Sequence, residues 1–454
     1  MYLLYSLLFT LGMLVLAPRF LFDALRKGKY VEGFRERLGK LPVIPGGERP
    51  VIWLHCVSVG ETQAARPLAQ AILEKFPNHK LVVSTITLTG QRIAREVFGR
   101  EAAAVIYFPF DWTWTVRRAL RHVKPELVLI METELWPGFL RECRERNVAV
   151  ALVNGRLSEK SFRRYRLIRG FIKRVVDCLD AALMQAEADA RRIRALGLEE
   201  ARVKVSGNVK FDLAASTEEN VKTENLRERF GLDETSPLII AASTHATEER
   251  IVLEAFKQLR AAQAHHEARL LIAPRHPERF NEVAALLSSS GFAWARRSEA
   301  PQATDRASDV ILLDSIGELR AAYRLATLVF VGGSIAKTGG HNVLEPAQAG
   351  ACIITGAHTN NFASIITAFL ERDALVQLPP LEEDDAVATL ARSFAELLSD
   401  EGRRREMIEH AKAVLDENRG ATGYTAELIA ELLKARGENR TLKPARDEST
   451  TLRA

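Results

Sequence analysis

Residues 332–347 carry the densest set of groups in this chain that could do chemistry together. Two glycine pairs, Gly332-Gly333 and Gly339-Gly340, bracket a short turn and are followed by His341, Asn342 and Glu345. Glycines let a backbone turn tightly and come close to a ligand, because no Cβ intervenes. The stretch Asn342, Val343, Leu344, Glu345 and onward to Ala349 reads as the opening of a helix. Amides at a helix start are unpaired and carry the positive end of the dipole, so they attract phosphate. Glu345, in the first turn, is placed to meet a ribose hydroxyl. The glycine spacing fits neither the dinucleotide pattern GxGxxG nor the phosphate-loop pattern GxxxxGKS/T. A strand-to-helix turn used only for packing is the plainer alternative, but it has no need of the histidine, the asparagine and the acid.

Other reactive residues recur just after apolar runs. Ser58, Gly60 and Glu61 form a glycine turn with a carboxylate at a helix start. That acid is either a general base lifted to a cleft rim or a residue complementing the helix dipole. Glu132 and Glu134, beside Trp136 and Pro137, would steer a hydroxyl-rich or cationic group, or cap the next helix. Asn154-Gly155-Arg156 leads into a basic helix, and Lys210 lies in Gly207–Asp212, near a domain boundary. Ser243 and Thr244 make a small-residue turn suited to holding phosphate through backbone amides. Arg275-His276 is flanked by Pro274 and Pro277, and the guanidinium offers a planar donor to phosphate or a base carbonyl. Ile316-Gly317-Glu318 follows another apolar run and is a candidate nucleotide contact. No His, Cys and Asp cluster has metal-ligand spacing, and no GxSxG elbow is present, so a mechanism without metal is expected.

These residues need elements to position them. Apolar runs at 51–57, 80–85, 103–107, 126–131, 148–153 and 181–184 read as buried parallel strands separated by helix-length segments. A polar stretch, 213–236, reads as a linker, and the alternation restarts at 238–242, 269–273, 310–313, 328–331 and 351–355. At 454 residues, 47% hydrophobic and 27% charged, the chain is expected to form two doubly wound α/β domains, 19–212 and 237–436, with a charged tail from 437. Ligands of such sheets bind at the carboxyl ends of the strands, so a cleft between the domains is the expected site. The four scattered cysteines read as small buried hydrophobes of a reducing compartment.

Residues 1–18 hold no charge and are followed by a basic flank from Arg19 to Lys40. That order predicts an uncleaved N-terminal membrane anchor with the globular body on the cytoplasmic side. The basic run Lys160–Arg174 contains no acid and, with the first flank, points to anionic lipid. No nucleic-acid motif accompanies either run, and nucleic acid is not expected as a partner.

Taken in order, Trp53–Glu61, Met131–Pro137, Asn154–Arg156, Gly207–Asp212, Pro274–Arg279 and Gly339–Ala347 resemble the Kdo (3-deoxy-D-manno-octulosonic acid) transferases, two-domain glycosyltransferases of the GT-B class. The resemblance implies two Rossmann-like domains facing a central cleft behind an N-terminal anchor helix at the cytoplasmic face of the inner membrane. It implies an inverting, metal-independent and cofactor-free transfer of Kdo from CMP-Kdo to the lipid A precursor, lipid IVA, in lipopolysaccharide biosynthesis. It makes Glu61 the base, with Glu132 and Lys210 supporting the transition state. Arg275, His276, Ile316–Glu318 and Asn342–Glu345 would hold CMP. Ser243, Thr244, Gly339, Gly340 and His341 are further candidates toward phosphate or sugar, and Ser58, Gly60, Glu134 and Arg156 toward the acceptor. Two rivals are a membrane-surface GT-B transferase using a UDP-sugar and a non-catalytic membrane-bound nucleotide-binding module. The first has no call for Met131–Pro137 together with Gly207–Asp212, and the second has no use for Glu61 at a cleft.

Overall fold

A computed structural model describes residues 1–27, 32–212, 217–233 and 236–441. The chain divides into two compact units, the first made of 1–213 and 419–454, the second of 214–418. The basic flank at 28–31 and the tail beyond 441 lie outside the described residues.

The first unit is built on strands β1 (Val51–His55), β2 (Lys80–Thr85), β3 (Ala104–Tyr107), β4 (Pro125–Met131), β5 (Ala149–Gly155), β6 (Ala181–Met184) and β7 (Val203–Val205). All pair in parallel in the order β3-β2-β1-β4-β5-β6-β7. Every residue of β1, β2 and β5 is buried, as expected of a parallel sheet with helices on both faces. The strand order reverses between β1 and β4, and that reversal opens a crevice at their carboxyl ends.

The second unit repeats the plan with β8 (Leu238–Thr244), β9 (Arg269–Pro274), β10 (Trp294–Arg296), β11 (Val310–Leu312), β12 (Leu328–Val331), β13 (Cys352–Thr355) and β14 (Val376–Gln377). Its order is β10-β11-β9-β8-β12-β13-β14, so its reversal falls between β8 and β12. The short strands β7, β10 and β14 were not expected from the sequence.

Two boundaries differ from expectation. The stretch taken for a linker contains a helix, Thr217–Phe230, whose Leu226 and Phe230 are fully buried within the second unit. Residues from Arg419 onward belong to the first unit, not the second. There the helix Ala421–Thr441 sets Ala421, Ala426 and Ile429 into the same core as Ala64, Ala65 and Leu68 of the helix Val59–Lys75. Asp212 caps its start, accepting from Gly420 N at 2.7 Å and Thr422 N at 2.6 Å. All four cysteines are buried free thiols.

The N-terminal helix Tyr2–Lys27 contains an apolar stretch, Tyr2–Arg19, long enough to cross a membrane. One side of this helix rests on the first unit. Tyr5 Oη donates to Asp111 Oδ2 at 2.8 Å, Trp112 Nε1 donates to Thr10 Oγ1 at 2.9 Å, and Phe171 meets both Tyr2 and Tyr5. The other side exposes Leu3, Leu7, Leu11, Leu14 and Val15.

Candidate active site

In the first unit the candidate residues gather at the β1/β4 reversal. Ser58 caps the helix that follows β1 and accepts from the Glu61 amide at 3.4 Å. The Glu61 carboxylate folds back over that cap, accepting from Val57 N at 2.8 Å and from the Ser58 hydroxyl at 2.9 Å. Such bonds by themselves favour the ionised form and would lower the pKa. Instead the carboxyl is pushed up to about 7, because burial, joined by the negative charge of Glu132, outweighs the two donors. Glu61 is therefore a helix-capping acid with the proton affinity of a general base poised at neutral pH. Gly60 sits exposed in the same turn.

Glu132 follows β4 with φ of 55°, a left-handed conformation unusual for a residue with a long side chain. Its amide donates to Val153 O at 3.0 Å, and its carboxylate accepts from Lys210 Nζ at 2.8 Å. Lys210 is delivered by a short 3₁₀ turn, Val209–Asp212, which a buried amide network holds in place. Asn154 Oδ1 accepts from Val209 N at 3.1 Å, Gln185 Nε2 donates to the Asn154 carbonyl at 3.0 Å, and Asn208 Nδ2 donates to Gln185 Oε1 at 3.2 Å. Burial, opposed by Trp136 and reinforced by Glu132, raises the Glu134 carboxyl as well. Three carboxylates and one ammonium thus share the crevice. Arg156 is placed differently: its carbonyl accepts from the Thr133 hydroxyl, and its charge acts on Asp189. Behind the crevice, Asp111 accepts from Gly138 N, Phe139 N and the Tyr5 hydroxyl. Burial pushes its carboxyl up to about 6. No spacing around Asp111 announced that role.

In the second unit the β8/β12 reversal brings together residues that follow β8, β9 and β12. Ser243 has φ of 54°, Thr244 is buried, and His245 comes next. His245 Nε2 lies 2.9 Å from His341 Nε2 with the rings stacked, and the His276 ring stands edge-on to His245 at 5.1 Å. Burial, then the Arg275 charge, lowers His341 to about 3, and burial lowers His245. Both rings are neutral near pH 7, so the short contact requires opposite tautomers, one Nε2–H facing a bare Nε2. Arg275 and His276 are exposed at the rim. Arg275 also acts electrostatically on Glu345, whose carboxyl burial raises.

The glycine-rich turn differs from expectation. Gly340 N donates to Gly333 O at 2.7 Å, so that amide is spent inside the turn. The helix begins at Leu344 rather than Asn342 and is only five residues long, Leu344–Gln348. Asn342 accepts from Leu344 N at 3.0 Å and donates to Glu345 Oε1 at 3.3 Å. Gly333, at φ of 67°, has no room for a side chain: a Cβ would stand 2.8 Å from His341. Gly339 is likewise left-handed, its missing Cβ replaced by the Asn361 side chain. Val343 and Leu344 are fully buried. In the turn after β11, Ile316 is exposed and Gly317 O accepts from Lys222 Nζ at 3.1 Å. Glu318 is clasped by both arms of Arg297 at 2.8 and 2.9 Å. Its carboxylate is an ion-pair partner here, not a free contact for a nucleotide. No group of three or more His, Cys, Asp or Glu able to hold a metal occurs among the described residues.

Comparison with known proteins adds identity to this geometry. Residues 32–213 match the family described as 3-deoxy-D-manno-octulosonic-acid transferase (kdotransferase). The chain is 34% identical over 383 residues to the 3-deoxy-D-manno-octulosonic acid transferase of Haemophilus influenzae, covering 84% of this chain and 87% of that protein. The protein of the same name from Bordetella pertussis is 34% identical over 390 residues, again 84% and 87%. Among solved structures, a putative UDP-N-acetylglucosamine 2-epimerase from Listeria monocytogenes superimposes with a TM-score of 0.57 over 86% of this chain and 97% of its own. At 14% identity that likeness speaks for the fold alone.

Proposed function

The chain belongs to the 3-deoxy-D-manno-octulosonic acid transferase family, glycosyltransferases with two Rossmann-like units, and on that premise we propose that it moves Kdo from CMP-Kdo to lipid IVA with inversion. The observation that carries this reading is the Glu61 carboxyl, buried at the β1/β4 reversal and titrating near 7. In the proposed step the acceptor hydroxyl oxygen attacks the anomeric carbon as the bond to the CMP phosphate breaks. Glu61 takes the hydroxyl proton, and the bonding pair leaves with the phosphate. Attack opposite the leaving group inverts the anomeric centre in one displacement. The anomeric carbon gains positive character on the way, as in glycoside hydrolysis, and the carboxylates of Glu132 and Glu134 favour that charge.

The second unit takes the nucleotide. Arg275 offers a charge-assisted donor pair to the phosphate, with His276, the paired His245 and His341 rings, and Asn342 beside it. The turn Ile316–Glu318 contributes Ile316 and backbone, since its acid is already paired. This reading assigns no role to a metal. The exposed leucines of Tyr2–Arg19 support anchoring at the cytoplasmic face of the inner membrane. Arg163, Arg164, Arg166 and Arg169, exposed beside Leu167 and Ile168, support contact with anionic lipid. The test is incubation of the protein with CMP-Kdo and lipid IVA, followed by mass spectrometry of the lipid. A Kdo adduct formed by wild type, and about 10²–10⁴-fold more slowly by Glu61→Gln, is expected; an unmodified lipid with wild type refutes the reading.

A further inference from the structure

Glu248, in the first turn of the helix Glu248–Ala261, is fully buried, and its carboxylate is met almost entirely by backbone. Oε2 accepts from His245 N at 2.9 Å and Gly333 N at 2.7 Å. Oε1 accepts from Ser334 N and Ile335 N at 2.9 Å and from Ala336 N at 3.1 Å. The neighbouring Glu249 is used differently, pairing with Arg279 Nη1 at 2.6 Å. Gly332 closes over the Glu248 carboxylate, for a Cβ there would lie 2.9 Å from Oε2.

A row of amides after a strand is what anions bind in many phosphate sites. Here the protein fills the row with its own acid, so these amides are not offered to a nucleotide. What the arrangement does instead is join two chain segments. One is the amide of His245. The other is the turn that ends at His341 through the Gly340–Gly333 bond, with the Thr338 hydroxyl donating to Gly333 O at 2.9 Å. Both imidazoles of the pair are thereby tied to a single carboxylate.

We propose that Glu248 is a positioning residue for the donor site, fixing the glycine turn and the His245–His341 pair in the arrangement that receives the nucleotide phosphate. This rests on the reading of the second unit as the CMP-binding one. Glu248→Gln is the informative change in the full-length protein. A carboxamide has one acceptor oxygen, and its NH₂ would face amide donors on the other side. The variant is expected to fold, to show altered imidazole ¹⁵N resonances for His245 and His341, and to bind CMP at least about tenfold more weakly by calorimetry, the worth of one charge-assisted bond. KM for the lipid acceptor should stay within about twofold, as expected when uniform binding of only one substrate is touched. Glu249→Gln, which disturbs the Arg279 pair instead, should move the imidazole resonances less than Glu248→Gln does, because Arg279 reaches His245 only through its charge. Should Glu248→Gln not fold, Glu248→Asp, which keeps the charge but shortens the reach, is read the same way. A folded variant with wild-type imidazole resonances and wild-type CMP affinity overturns the proposal. Wild-type protein that ignores CMP overturns the donor reading instead, while the imidazole spectra still decide the role of Glu248.

Discussion

Replacing Glu61 by Gln should make the protein slower and sturdier at once. The carboxyl, ordinarily near 4.5, is held at about 7 in the folded chain. The folded state therefore grips that proton more tightly than the unfolded state does. Ionising Glu61 costs stability progressively as pH rises from about 4.5 to about 7, and the cost is complete above that. At about 1.4 kcal/mol for each tenfold change in proton affinity, the loss at pH 8 is about 3 kcal/mol. Gln avoids that loss, and the local bonds can survive. Its oxygen stays on the Val57 amide, while its NH₂ turns to the Ser58 hydroxyl, which accepts as readily as it donates. Urea unfolding of both proteins at pH 5 and pH 8 is the assay. The Gln variant should be more stable at pH 8 by about 3 kcal/mol, with most of the gain gone at pH 5. Turnover should fall by about 10²–10⁴, the usual worth of a general base. A Gln variant whose stability relative to wild type is the same at both pH values would refute the argument. Glu61 would then be an ordinary capping acid, and the base would have to be sought at Glu132 or Glu134.

The rate should rise with pH through about 7, since only ionised Glu61 accepts a proton. Glu132→Gln removes a like charge beside Glu61, so the acid limb of the kcat/KM profile should move down, whereas Lys210→Met removes the cation paired with Glu132 and should move it up; shifts of the same sign would be incompatible with this electrostatic account. Arg275→Ala should weaken CMP binding by about tenfold or more in calorimetry, and it should raise the His341 pKa seen by NMR titration, because the lost charge faces that ring. Deleting residues 1–18 should weaken flotation with anionic vesicles, and what remains should fade with added salt because exposed arginines carry it; residual binding indifferent to ionic strength would exclude that origin.

The sheets were legible because a parallel strand buried on both faces must be apolar throughout, and Val51–His55 or Leu328–Val331 can be little else. Glu61 and Glu132 were legible for the same reason, as acids that break such runs at their carboxyl ends. Short edge strands such as Val376–Gln377 carry too few residues to show a pattern. The helix Thr217–Phe230 passed for a linker because its surface is polar and its burial rests on a few residues such as Leu226 and Phe230. Glu248 was silent because its partners are main-chain amides, four of the five 85 to 88 positions away, and an amide has no signature in the sequence. The same holds for Asp111, whose donors are two amides and a distant tyrosine. Periodicity can announce a helix at Ala421–Thr441, but not that its apolar side covers a sheet made several hundred residues earlier.

That returning helix has a consequence for synthesis. Because the first unit reclaims the chain at Arg419, the second unit is complete while the first still lacks part of its core. At about 5–20 residues per second, the ribosome finishes residues 214–418 before Ala421, Ala426 and Ile429 have been made. The helix Val59–Lys75 must wait through that interval with part of its apolar side uncovered. The unit begun first is the one finished last. A message truncated near codon 418 would therefore damage the unit that carries Glu61, although every residue lost lies beyond the second unit.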